Sequence, residues 1–228
     1  MAASSDTSSR PRPPVWRRGV LVILALGVLL HAAALVWALA TGNGEFVFYV
    51  LAMAVVAVGL LTAHAVCNFT TPLLALMLTW AVLHMAGGLV PIPASWPING
   101  DVRVLYSWWI VPGSPHDPDN AMSGWLKYDQ LVHFLGFFAT AWACWQALAA
   151  SIACDLGVTR DHVKRTFGRM VLIATASLGF SAMNEVVEFI ATLMGPSNVG
   201  GYINTGLDLC FNTAGAVTAA VALKLRVI

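Results

Sequence analysis

Six long apolar stretches separated by polar breaks dominate the chain. Gly19–Ala40, Phe46–Ala65 and Pro72–Leu89 form a first set, and Lys127–Cys154, Gly168–Met194 and Thr205–Leu223 a second. A bilayer core takes roughly 20 apolar residues of helix, so each stretch predicts one membrane-spanning helix, with tilt and interfacial ends absorbing the spread in length. The short alternating segments of a membrane barrel are absent. The breaks Thr41–Glu45 and Cys67–Thr71 are terse, whereas Val90–Leu126 is long. The expected fold is therefore all-α, with about six transmembrane helices. Residues 1–18 form a basic tail expected to be disordered, and 19–228 a single transmembrane domain with an exterior loop at about 90–126.

Composition agrees with the pattern. Of 228 residues, 58% are hydrophobic and 10% charged, and mean hydropathy is +0.75; a soluble domain carries about 25% charged residues. A net charge of +1 is silent on nucleic acid, and no interleaving of basic and aromatic residues suggests such a partner, so none is expected. The first span follows a basic region, "RPRPPVWRR", and ends in Ala38-Leu39-Ala40, as a secretory signal does. Its apolar run exceeds the roughly 7–15 residues of a signal core, so it is read as a retained helix. Lys and Arg then set the orientation. With the N-terminus inside, Arg10, Arg12, Arg17, Arg18, Arg160, Lys164, Arg165, Arg169, Lys224 and Arg226 are cytoplasmic, and only Arg103 and Lys127 fall outside, as the positive-inside rule requires. Both termini are expected in the cytoplasm. Trp96, Trp108, Trp109 and Trp125 in the exterior loop suit the headgroup interface. The four cysteines form no C-x-x-C pair, so neither a disulfide frame nor a thiolate zinc site is indicated.

Polar residues inside the spans then stand out. In "KYDQLVHFLGFF", Asp129 and His133 are four apart and share a helix face continued by Gly136 and Thr140. "SLGFSAMNEVVEFIATLMG" places Ser177, Ser181, Asn184, Glu185, Glu188 and Thr192 on one side of the fifth span. "YINTGLDLCFNTAGA" does the same for Thr205, Asp208, Asn212 and Gly215 in the sixth. Given the topology, all three sets fall at similar depth near the outer surface, with His84 of "AVLHMAGG" close by. An acid at the centre of a membrane helix costs about 2.5–3.5 kcal/mol, so such groups face the bundle interior and pair with something. Four acids and a histidine, with Lys127 the one basic neighbour, would repel unless relieved by protonation, separation or a bound cation. Carboxylate and imidazole are suitable ligands for a divalent metal ion. Asp129, His133, Glu185, Glu188 and Asp208 are the candidate ligands, His133 or Glu188 the candidate catalytic base, and His84, Asn184 and Asn212 further pocket residues. Simpler roles compete. A lone Asn, Ser or Thr in a membrane helix usually only hydrogen-bonds its neighbour, for about 0.6 kcal/mol. Asp129 alone could serve the helix dipole, and His133 alone could be a satisfied core residue. His31 and His64 are read as structural, and His116, Asp117 and Asp119 as turn residues.

The blocks "LHMAGGLVPIP", "YDQLVHFLGFF", "NEVVEF" and "GGYINTGLDLCFNTAGA" resemble, in this order, an uncharacterised bacterial inner-membrane family that includes YjdF and is loosely similar to the VanZ-like family. The resemblance runs from about the second span to the end. It implies a multi-pass protein of the bacterial cytoplasmic membrane, with Asp129, His133, Glu185, Glu188, Asp208 and Asn212 at motif positions. Asn184, where an aromatic is common, and "NVGGYINTG", in place of a more acidic segment, depart from the family pattern. Three function classes follow. The first is a membrane enzyme, metal-dependent if the cluster holds a cation, acting on a lipid or lipid-linked substrate at the outer face. The second is an ion- or proton-coupled transporter, which needs polar groups through the full depth and is disfavoured by the lack of an inverted repeat. The third is a non-catalytic structural or assembly subunit of a larger membrane complex.

Overall fold

A computed structural model describes residues 15–98, 102–113, 124–194 and 201–228. The N-terminal stretch 1–14 and the turn residues His116, Asp117 and Asp119 lie outside them. Six helices account for most of the described chain: α1 (Arg18–Ala40), α2 (Gly44–Cys67), α3 (Thr71–Leu89), α4 (Tyr128–Leu156), α5 (Phe167–Met194) and α6 (Tyr202–Lys224). All are long and apolar enough to cross a membrane, so the protein is a multi-pass, all-α membrane protein. Their bounds fall within three residues of the apolar stretches read from the sequence. The outward surfaces suit lipid: Val28 of α1, Val55 of α2 and Leu193 of α5 are each more than 70% exposed. In a bilayer such side chains meet acyl chains, while the helical backbone satisfies its own polar groups.

Local chemistry sets the helix ends. Asn43 caps α2 by accepting from Phe46 N, and Pro72 occupies the first turn of α3. Gly157 ends α4 at φ 63°, a left-handed conformation that glycine adopts without steric cost. Three arginines gather the ends opposite the long loop. Arg17 donates to Thr71 Oγ1 at 2.7 Å and Asn68 Oδ1 at 2.9 Å, and Arg160 donates to the carbonyls of Cys67 and Asn68. Arg165 donates to the carbonyls of Leu223 (2.6 Å) and Ile228 (2.8 Å). Guanidinium groups on the last carbonyls of α2 and α6 satisfy orphan acceptors and favour the negative end of the helix dipole.

α4 is the hub, packed most extensively on α6 and also on α5 and α3. Towards the arginine end the contact is a solid apolar core of Trp145, Ala149, Met170, Ile173 and Leu223. Further along, small residues let α4 and α6 approach: Ala141, Ala216 and Ala219 are fully buried together. At Gly215 a Cβ would lie only 2.2 Å from the Phe134 carbonyl oxygen.

The long connection holds secondary structure that its sequence pattern did not announce. A turn of 3-10 helix (Leu105–Ser107) leads into β1 (Trp109–Pro112), which pairs antiparallel with β2 (Gly124–Lys127). β2 runs straight into α4, where Tyr128 N donates to Trp108 O at 3.0 Å and Tyr128 Oη donates to Leu83 O of α3 at 2.9 Å. Of the four tryptophans expected at the interface, Trp125 is 80% exposed but Trp109 is buried, stacked over Gly124 where a Cβ would meet its ring at 2.3 Å. Trp109 thus belongs to the hairpin's own packing.

We expect Gly215→Ala to lower the thermal unfolding temperature in detergent, at a cost of about 1–3 kcal/mol from overpacking against backbone. Gly206→Ala, on an open surface of the same helix, should be neutral or raise it by up to about 1 kcal/mol through helix propensity. Equal effects of the two would refute the close α4–α6 contact.

Candidate metal centre

The polar faces of α4, α5 and α6 converge at the end of the bundle that carries the long loop. His133, two turns into α4, points Nε2 at three carboxylates from three helices. Asp129 Oδ1 is 3.5 Å away, Glu188 Oε1 3.8 Å and Asp208 Oδ1 3.9 Å. The other ring nitrogen, Nδ1, is 3.0 Å from Asn212 Oδ1. Asn212 spends its amide on Ser181 Oγ at 2.6 Å, so its oxygen is left as an acceptor and His133 Nδ1 carries the donated proton. In the neutral ring Nε2 therefore keeps its lone pair, directed into the carboxylates. Metal-ligating histidines are oriented in this way, with the second ring N–H donated to a fixed acceptor.

The separations point the same way. At 3.5–3.9 Å the carboxylate oxygens lie beyond the about 2.7–2.9 Å of charge-assisted hydrogen bonds. Ligand atoms of Asp129, His133 and Asp208 lie within 4.8 Å of one another, and so do those of Glu185, Glu188 and Asp208. A buried acidic/His cluster capable of coordinating a divalent metal ion is thus present.

Neighbouring groups satisfy the acids unequally. Lys127 Nζ lies 3.5 Å from Asp129 Oδ2 and donates to Asn204 Oδ1 at 2.6 Å. Asn204 Nδ2 in turn donates to Asp208 Oδ2 at 2.6 Å and reaches Asp129 Oδ2 at 3.4 Å. Asn184 Nδ2 donates to Glu188 Oε1 at 2.7 Å. Against these, Asp208 Oδ1 and both carboxylate oxygens of Glu185 are shielded from solvent and accept no hydrogen bond among the described residues. A buried acceptor left unmatched costs about 1–3 kcal/mol, more when charged. A buried Asp208 oxygen without a donor, 3.9 Å from an imidazole nitrogen, is a place a cation can occupy.

A cavity runs from the cluster into an aromatic chamber lined by Phe46, Tyr49, Trp80, His84 and Tyr106. His84 stacks on Trp80 at 5.7 Å between ring centres, and its Nδ1 accepts from Tyr106 Oη at 2.5 Å. Burial, with Asp129 and Glu188 adding to it, pushes the Tyr106 phenol well above its ordinary range, which keeps it a neutral donor. Gly87 admits this ring, since a Cβ there would lie 2.5 Å from it. A second cleft, between α5 and α6, is lined by Glu185, Glu188, Phe189, Thr192, Tyr202 and Thr205.

The family model described as "Predicted membrane protein (DUF2238)" matches residues 21–227. The chain belongs to the DUF2238 family. No curated protein and no solved structure matches it. Within this member of DUF2238, the structure brings Asp129, His133, Glu185, Glu188, Asp208, Asn184 and Asn212 together, with His84 on the far wall of the same cavity. Thr140 and Ser177 do as expected of lone hydroxyls, donating to the carbonyls of Gly136 (2.9 Å) and Phe137 (3.0 Å). Sequence reasoning overlooked Asn204, which sits i−4 from Asp208 and on its face, a spacing that could have revealed it. It also missed Tyr106, whose loop position gave no signal. Lys127 was legible only as a neighbouring charge.

Asn212→Leu removes the acceptor for His133 and the donor to Ser181 while keeping side-chain volume. We expect a stability loss of about 1–3 kcal/mol in detergent unfolding and a 10–100-fold loss of divalent-metal affinity. Unchanged affinity would show that His133 is not oriented for a metal.

Proposed function

We propose that this protein is a metal-dependent enzyme of the bacterial cytoplasmic membrane, acting on a lipid or lipid-linked substrate at the outer face. The observation that carries the reading is the buried Asp208 oxygen left without a hydrogen bond 3.9 Å from His133 Nε2, inside a ring of carboxylates. In this scheme Asp129, His133 and Asp208 hold a divalent cation, which when bound supplies a Lewis acid and an activated water. Glu188, oriented by Asn184, is the general base. With Nε2 directed to the cation, His133 acts as ligand rather than base. Lys127 offers a positive charge on the cavity wall to an anionic headgroup.

Residues 19–228 are taken as one transmembrane unit with both termini cytoplasmic. The concentration of Arg17, Arg160 and Arg165 at the end opposite the hairpin supports this orientation. The resemblance to YjdF and VanZ-like proteins supports a bacterial inner-membrane location. The cleft between α5 and α6, flanked by exposed Phe189 and Tyr202, offers a lipid a sideways route to Glu185 and Glu188. A transporter would need polar groups continuing along the bundle, and below the cluster α4, α5 and α6 close in an apolar core. A packing role alone leaves the unmatched carboxylate oxygens unexplained.

Protein purified in mild detergent should bind a divalent ion that chelator removes, with a matching loss of thermal stability. The stabilisation is about 2.7 kcal/mol at a hundredfold excess of metal over Kd. Asp208→Asn should weaken the metal-dependent shift, and the Glu185→Ala, Glu188→Ala double variant should lose any metal-dependent turnover of an extracted lipid pool. Absence of a metal-dependent shift in the unmodified protein would end this reading.

A further inference from the structure

We propose that the cluster is built for two divalent cations, with Asp208 as the carboxylate shared between them. The inference rests on the metal-centre reading above and extends it, and with both ions bound Glu188 serves as a ligand in place of its role as base. Two ligand triads are present and meet in one residue: Asp129, His133 and Asp208 on one side, and Glu185, Glu188 and Asp208 on the other. Asp208 is fully buried at their junction. Its Oδ1 accepts no hydrogen bond, although Asn204 holds its Oδ2 at 2.6 Å.

Glu185 supplies the independent reason for a second ion. It is no part of the first triad, yet both its oxygens are screened from solvent and accept no hydrogen bond of normal length and angle, although the Asn184 and Asn212 amides lie nearby. One ion beside His133 leaves that carboxylate unmatched. Charge leads to the same conclusion. With all four carboxyls ionised, as metal ligation requires, the Lys127 ammonium leaves three negative charges within the cluster. A single dication still leaves the cluster anionic, and a second makes it a net cation, suited to an anionic ester at the lipid headgroup.

The ligand sets differ in kind. The first includes imidazole, which suits transition ions such as zinc or manganese. The second is all oxygen and suits magnesium, manganese or calcium. Manganese fits both and is the probe of choice.

Full-length protein in detergent micelles, stripped with chelator and desalted, is titrated with Mn2+. Bound metal per chain is then measured by elemental analysis, and the spectrum by electron paramagnetic resonance. The expected result is two Mn2+ per chain with an exchange-coupled spectrum. Glu185→Gln and Asp129→Asn, which alter opposite sides of Asp208, should each fall to one Mn2+ with an uncoupled signal. Having one variant on each side keeps the count readable if either misfolds. One Mn2+ per chain in the unmodified protein, unchanged in Glu185→Gln, would overturn the second site and leave the first intact. No bound Mn2+ would overturn both.

Discussion

The structure turns on the difficulty of holding several carboxylates close together away from water. Isolated acids in a membrane helix are costly, and like charges a few ångströms apart raise the cost further. Much of the loop end of the bundle answers that constraint. Asn204 and Lys127 bind Asp129 and Asp208, Asn184 binds Glu188, and Asn212 with Ser181 fixes the imidazole between them. Fully buried amides and hydroxyls are themselves expensive unless paired, and here they are paired to each other or to the acids. The residual oxygens on Asp208 and Glu185 are the part of the constraint that the side chains do not resolve.

Packing supports the chemistry by letting α4 and α6 come close. Alanines and Gly215 at their contact bring the two backbones near enough that His133 and Asn212 meet without strain. Shape complementarity of small residues is a major source of helix association in lipid, where apolar side chains have no solvent to escape. The same contact that fastens the bundle therefore also sets the geometry of the cluster. The apolar plug of Trp145, Ile173 and Leu223 beneath it separates the polar layer from the arginine-lined end.

The helices and the cluster were largely legible in the sequence because the bilayer imposes a length and a polarity on every span. Glu185, Glu188 and Asp208 stood out against apolar neighbours, and their depth followed from alternating helix direction. What escaped notice had no such constraint. The β1–β2 hairpin lies in the long connection, where no membrane fixes a period, although the β-branched and aromatic run "SWWIVP" carried a β propensity. Tyr106 meets His84 only through the path of that loop, and Trp109 turns inward because Gly124 opens a space for its ring. Tertiary contacts of this kind leave no local trace.

β2 passes into α4 without an intervening turn, and the strand's last residue is Lys127, with Asp129 two positions later. The hairpin and the first ligand-bearing turn of α4 are consequently one mechanical piece. The pairing of β1 with β2 therefore helps to set where the ammonium and the aspartate enter the cluster.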